Sequence, residues 1–194
     1  MPAKPMYVII QDDSLAGKAD GMTEEWFDVV NDAGEIIGRA PRCRCHGDPS
    51  LIHRTAHVVV MPPEGGAVLL QLRAAGKDIQ PGKWDTAVGG HLLAGEDYEC
   101  AARREMNEEL GLPPDLPLTV CFDDRIRNRI ESENVRVFRT VSAGPFAFQQ
   151  EEIDEVRFWR MDEIATELSA GGGAFTPNLC RELARLRECG ILDF

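Results

Sequence analysis

The sequence contains no apolar run approaching the roughly 20 residues that cross a bilayer, so no membrane-spanning helix is expected. Its first apolar stretch, Met6 to Ile10, runs straight into Gln11, Asp12 and Asp13, which is not the layout of a signal peptide. C-x-x-C pairs are also missing: the six cysteines stand at 43, 45, 100, 121, 180 and 189, so neither a disulfide framework nor a dithiol redox motif is expected. Positive charge is scarce, with Lys+Arg 21 against Asp+Glu 33 and a formal net charge of -12. Without a basic stripe the chain is a poor partner for a nucleic-acid polymer or an anionic lipid surface. These absences together describe a cytoplasmic protein with reduced thiols.

What is present is enough for a core, because 194 residues bury roughly 70% of the surface their unfolded chain exposes. Residues 1–24 show no clear period and read as an N-terminal arm that can pair across a two-fold axis, which leaves both a monomer and a homodimer open. Residues 25–194 read as a single domain. Trp26 to Val30 and Ile36 to Arg39 flank Asn31-Asp32-Ala33-Gly34 as a β-hairpin. Thr55 to Met61 and Ala67 to Leu72 read as a second strand pair around a Pro/Gly turn, and Leu118 to Phe122 and Val135 to Val141 as further strands. Between the first two pairs, Cys43-x-Cys45-His46 departs from the usual zinc spacings and reads as part of a mobile connection. Asp97 to Leu110 has a helical period and is stopped by Gly111 and Pro113. A strand at Val156 to Trp159, a short helix from an Asp162 cap and a last helix from Pro177 to Cys189 complete an α+β pattern, a mixed sheet flanked by helices.

Chemistry concentrates between Gly90 and Leu112, where six acids face only Arg103 and Arg104. On the helix, Glu105, Glu108 and Glu109 stand at i, i+3 and i+4, on one face. Like charges this close repel by a few tenths of a kcal/mol per pair unless a cation lies among them. Hard oxygen donors grouped in this way suit Mg²⁺ or Mn²⁺.

Gly90, Glu96, Arg104-Glu105-Met106, Glu108-Glu109 and Gly111-Leu112 match the spacing G-x5-E-x7-R-E-U-x-E-E-x-G-U, in which U is a bulky aliphatic. This pattern resembles the signature box of the Nudix hydrolase superfamily, and seven fixed residues would coincide by chance on the order of once in 10⁸ starting points. The resemblance implies an α/β/α sandwich carrying a loop-helix-loop. It also implies that Glu105, Glu108 and Glu109 hold a divalent metal, that Arg104 orients a catalytic glutamate, and that Glu96, Gly90 and Gly111 shape the loop. Glu105 and Glu108 are the candidates for general base. The implied reaction is hydrolysis of a small diphosphate-linked substrate by metal-activated water.

From about Trp26 to Pro177 the chain also resembles the branch that includes isopentenyl-diphosphate isomerase and its bacterial hydrolase-like relatives. There the resemblance implies a second metal site from His46, His53, His91, Glu131 and Glu133. It further implies that Arg73 and Lys77 grip a diphosphate. The isomerase reacts through a cysteine and a tryptophan; this chain has Gly89 and Gly173 at those positions, and neither can transfer a proton or stabilise a cation. His57, four residues beyond His53, reads as a buried strand histidine; Glu151, Glu152 and Asp154 read as a solvated acidic turn, with the alternative, implied by the resemblance, that one of them is the loop acid that some relatives use as general base.

Three functions are therefore to be weighed: a metal-dependent hydrolase, an isomerase of isoprenoid diphosphates, and a noncatalytic nucleotide-binding module. An unbroken box favours the first. Trp84, Phe122 and Phe148 can each stack on a base or pack in the core, and the sequence does not choose a substrate.

Overall fold

A computed structural model describes residues Val8–Ile9, 24–77 and 79–194. Apart from Val8–Ile9, a two-residue strand (β1), the expected arm up to residue 23 lies outside the described residues, and with it the arm-mediated pairing.

The hairpin forms as read, from β2 (Trp26–Val30) and β3 (Ile36–Pro41), in antiparallel register. Its turn is closed by Asn31, whose side-chain oxygen accepts from the amides of Ala33 and Glu35, while Gly34 takes a φ of 83°. A short helix, α1 (Arg42–Cys45), follows where a mobile connection was expected. The reason is Cys45, which is fully buried beside Phe27 and Leu51 and anchors the segment.

The central strand is β4 (Ile52–Met61), ten residues long. On one side it pairs in parallel with β9 (Ser132–Val141) along its full length; on the other it pairs antiparallel with the short β7 (Val88–His91) and touches β2 at Ile52. The strand β8 (Thr119–Arg127) pairs antiparallel with β9. A second sheet contains β10 (Ile153–Arg160), β5 (Ala67–Arg73) and β6 (Trp84–Thr86). The expected pairing of β4 with β5 is therefore corrected. Both strands exist, but the Pro62-Pro63 turn carries the chain from one sheet to the other, and β5 finds β6 and β10 instead.

Period-two alternation on β4 sorts the core into two layers. Ala56, Val58 and Val60 meet Ala101, Ala102, Met106 and Leu110 of α2 (Tyr98–Leu110) on one face. Val59 joins Val135, Val137, Ile164, Leu179, Leu183 and Leu186 on the other, covered by α3 (Met161–Ser169) and α4 (Pro177–Glu188). Helices on both faces of the sheets give the expected α/β/α sandwich. The cap of α3 is Arg160, with Asp162 inside the first turn; α4 is capped by Thr176, whose hydroxyl accepts from Leu179 N at 3.1 Å.

One buried carboxylate ties the hairpin to the rest. Asp28, 1% exposed, accepts from Arg39 Nε (3.0 Å), Arg54 Nη2 (2.9 Å) and the amide of Gly95 (2.7 Å). It thus joins β3, β4 and the loop that leads into α2.

Candidate active site

Helix α2 owes its position to its ends. Asp97 caps it by accepting from Cys100 N at 2.9 Å, and Gly111 ends it in the left-handed region at φ 65°. A Cβ on Gly111 would meet Ala147 Cβ at 3.0 Å, so the glycine also permits the following chain to pack closely. Between the caps, Ala101, Ala102, Met106 and Leu110 are buried and turn Glu105, Glu108 and Glu109 toward β7.

Arg104 holds this face together. It bonds both oxygens of Glu96 (3.1 and 2.8 Å), one oxygen each of Glu105 (2.7 Å) and Glu108 (3.0 Å), and the carbonyl of His91 (3.0 Å). Glu96 in turn accepts from Leu93 N at 3.0 Å, fixing the loop before the helix. Gly90 gives Glu105 its space on β7. Burial raises the Glu105 carboxyl above its ordinary pKa, against the pull of Arg104. Glu109 is deeper: burial, reinforced by Glu105, pushes its pKa up to about 8, although the amide of Gly89 (3.4 Å) and Gln71 Nε2 (3.3 Å) both donate to it. Three carboxylates, one of them costly to ionise, are a donor set a divalent cation would relieve.

On the opposite face of β4 the structure brings His46, His53, His91 and Glu133 together, with one ligand atom from each lying within 4.8 Å of the others. His46 and His91 oppose their Nε2 atoms at 3.0 Å, and His91 Nε2 is 3.2 Å from Glu133 Oε1. Phe27 stacks on His91 and His53 with centroids 4.8 and 5.6 Å away. Burial, then His91, lowers the His46 pKa to about 4, and burial lowers His91 as well. Burial alone would raise Glu133, but the His53 and His91 imidazoles outweigh it and hold the carboxyl well below the usual range. Three imidazoles around one carboxylate, with His53 Nε2 buried 3.5 Å from Glu133 Oε1 and without a hydrogen bond, make a pocket suited to a divalent ion. Glu131 is outside this set of four. It precedes β9, so it does not share the strand alternation with Glu133, and its carboxylate accepts from Asn128 at 3.2 Å.

The two groups open onto one cleft of about 1080 Å³. Arg73 lines it while bonding the carbonyl of Ile79 (3.0 Å) and Asp85 (3.4 Å); Lys77 lines it paired with Glu152, so this part of the acidic turn is an ion pair rather than free in solvent. No aromatic residue is among the cleft's described walls. Trp84 packs edge-on against Trp159, and Phe122 and Phe148 pack, partly buried, on the two cores.

Sequence reasoning missed the strand β7 itself, whose Val88-Gly-Gly-His carries little strand signal, and the partner of His57. The Glu182 carboxylate lies 2.6 Å from His57 Nδ1. The available signal was a glutamate on the apolar stripe of α4.

A family model for the NUDIX domain matches residues 51–179. The chain belongs to the Nudix hydrolase family. Among Nudix relatives, a protein of Yersinia pestis described as an uncharacterized Nudix hydrolase is 38% identical over 164 residues, covering 82% of this chain and 84% of that one. An isopentenyl-diphosphate Δ-isomerase of Nocardia farcinica is 34% identical over 161 residues, covering 80% and 91%, which supports the isomerase-like branch. In fold, the crystal structure of DR0079 from Deinococcus radiodurans superposes with a TM-score of 0.71 at 23% identity, covering 85% of this chain and 99% of that one. As a Nudix hydrolase, the protein is an enzyme that acts on pyrophosphate bonds. Among the described residues, no helix is long and apolar enough to cross a membrane.

Proposed function

We propose that the protein is a divalent-metal-dependent hydrolase that cleaves the pyrophosphate linkage of a small nucleoside-diphosphate-type or other diphosphate-linked substrate. The observation that carries this reading is the placement of Glu105, Glu108 and Glu109 on one helical face at the edge of a polar cleft, the first two held by Arg104 and the third by Gly89 N and Gln71. Glu105, Glu108 and Glu109 hold Mg²⁺, or Mn²⁺ in its place. When bound, the cation neutralises phosphate oxygens and acidifies a water. Glu105 or Glu108 takes the proton of the attacking water, and Arg104 keeps both carboxylates aimed. Arg73 and Lys77 bind the diphosphate. His46, His53, His91 and Glu133 hold a second divalent ion.

Related folds support the substrate class. A Caenorhabditis elegans Ap4A hydrolase shares the fold at a TM-score of 0.50 and 17% identity, covering 70% of this chain and 95% of that one. The NUDIX domain of Shewanella oneidensis NrtR, solved with ADP ribose, does so at 0.55 and 15%, covering 70% and 86%. A panel of diphosphate-linked compounds assayed with Mg²⁺ and with EDTA tests the reading: metal-dependent release of phosphate or a monophosphate is expected, and turnover unaffected by EDTA refutes it.

An isomerase reading has the Nocardia relative and the His/Glu cluster in its favour. Against it, none of the cysteines lines the cleft among the described residues, and burial pushes the Cys45 thiol up to about 11. Incubation with isopentenyl diphosphate in heavy water decides between them; deuterium incorporation would overturn the hydrolase assignment.

A further inference from the structure

The inward stripe of α4 is Leu179, Glu182, Leu183 and Leu186, so a carboxylate occupies a place where its neighbours are leucines. Glu182 is 6% exposed. An ion buried this deeply costs several kcal/mol unless it is paired, and its partner is His57 Nδ1 on β4, at 2.6 Å. That bond puts a proton on Nδ1 and turns Nε2 the other way, toward the cleft. Nε2 makes no hydrogen bond among the described residues, and the His57 side chain, 14% exposed, is among the residues that line the cleft, with Asp85 and Thr176.

The residue directly across the sheet from His57 is Gly89. A Cβ at Gly89 would stand 3.4 Å from His57 Cδ2 and 3.5 Å from Nε2, in van der Waals contact with the ring edge and taking up space beside the nitrogen. The backbone of Gly89 is not in the left-handed region, so its conformation does not require glycine; what the glycine provides is the opening. The same residue donates its amide to Glu109 at 3.4 Å, so a single peptide separates the deepest carboxylate of the box from the imidazole. The arginines and the lysine of the cleft each have an acidic partner, Arg42 with Glu25, Arg73 with Asp85, Lys77 with Glu152, Arg104 with its three glutamates and Arg181 with Asp124, so Arg73 and Lys77 meet a diphosphate while sharing their charge with a carboxylate, and a further donor beside Glu109 adds to their grip.

We propose that His57 is a substrate-contacting residue, donating from Nε2 to a phosphate oxygen of a diphosphate lodged beside Glu109, with Glu182 as its positioning residue and Gly89 as the gap that admits the ligand. This rests on the reading of the cleft as a diphosphate site. The Glu182 carboxylate keeps the ring charged, against the effect of burial, with a pKa near 9. A charged donor to a phosphate oxygen is about twice as strong as a neutral one.

Nitrogen-15 labelling of histidine makes the contact visible, because the chain has only four histidines. The whole protein is titrated with methylenediphosphonate, a non-hydrolysable diphosphate, in the presence of Mg²⁺. The His57 Nε2 resonance, assigned by its loss in His57→Gln, should shift saturably. Affinity should fall about tenfold in His57→Gln, and also in Gly89→Ala, which leaves the His57–Glu182 pair intact and so separates contact from folding. An Nε2 resonance that stays put at saturation, wild-type affinity in Gly89→Ala, or no saturable binding overturns the proposal. If His57 shifts while no compound of the hydrolysis panel is cleaved, the hydrolase reading fails and the contact stands. If hydrolysis proceeds and His57 stays still, the contact alone fails.

Discussion

Gly90 and Glu105 occupy adjoining space so tightly that a single methyl group on the glycine would lie 1.9 Å from Glu105 Cδ and 2.2 Å from its Oε1. Real Cβ atoms do not approach so closely, so one of the two must move, and the carboxylate is the movable one. Gly90→Ala should therefore leave the fold intact by circular dichroism while lowering kcat by two orders of magnitude or more, the scale on which displaced catalytic groups act. Steady-state kinetics with the preferred diphosphate check this. A variant within threefold of wild type would show that Glu105 is not needed in place.

Glu109 should show stability and function in opposition. Its raised pKa, near 8, means that folding favours its protonated form. The sign follows: the apo protein has this contribution in full below the ordinary glutamate pKa and loses it as pH rises through about 8. Glu109→Gln removes the buried charge. In EDTA at pH 8.5 the variant should melt a few degrees above wild type, whereas in Mg²⁺ it should lose activity by at least a hundredfold. Calorimetry and the hydrolysis assay read the two effects separately.

The His57–Glu182 pair sets a second pH dependence. Folding raises the His57 pKa from 6.5 to about 9, so its stabilisation is complete below pH 6.5 and disappears as pH climbs through about 9. The shift corresponds to roughly 3 kcal/mol, or on the order of 10 °C in melting temperature for a chain of this size. In EDTA, the stability difference between wild type and His57→Gln/Glu182→Gln should shrink over that window. A difference that does not vary with pH would place the pair's titration elsewhere.

The histidine cluster predicts a metal count. With the box and the cluster both filled, the wild-type protein should hold more divalent metal per chain than either His46→Ala or His91→Ala after equal dialysis. Elemental analysis decides; equal content in all three would remove the cluster as a metal site. Glu131→Gln tests the boundary of the set and should retain wild-type content, because its carboxylate faces Asn128.

Local signals carried much of this architecture. Helix α2 could be read because its caps, its apolar period and its carboxylates all lie within fifteen consecutive residues, 97–111, and the family spacing named its chemistry. What could not be read was partnership across distance. The alternation in β4 and β5 shows two strands but not that a double-proline turn delivers them to different sheets. The glycines of β7 hide a strand whose two central residues, Gly89 and Gly90, have no side chains to crowd His57 and Glu105. His57 and Glu182 are 125 residues apart, and no periodicity connects them. Cys45 looked like part of a polar linker because its burial depends on Phe27 and Leu51 from other elements.

The three bonds accepted by Asp28 bear on what counts as the unit of this protein. Its anchorage of Arg54 and of the Gly95 turn comes from a residue well ahead of position 51, where the recognisable family segment starts. His46 lies ahead of that boundary too, and Glu182 beyond the far one at 179. A fragment trimmed to the family borders would keep every letter of the signature and leave its loop unbraced, one histidine short and His57 without its counter-charge. Similarity outlines a smaller piece than the hydrogen-bonded one, whose flanks supply partners to Arg54, His91 and His57.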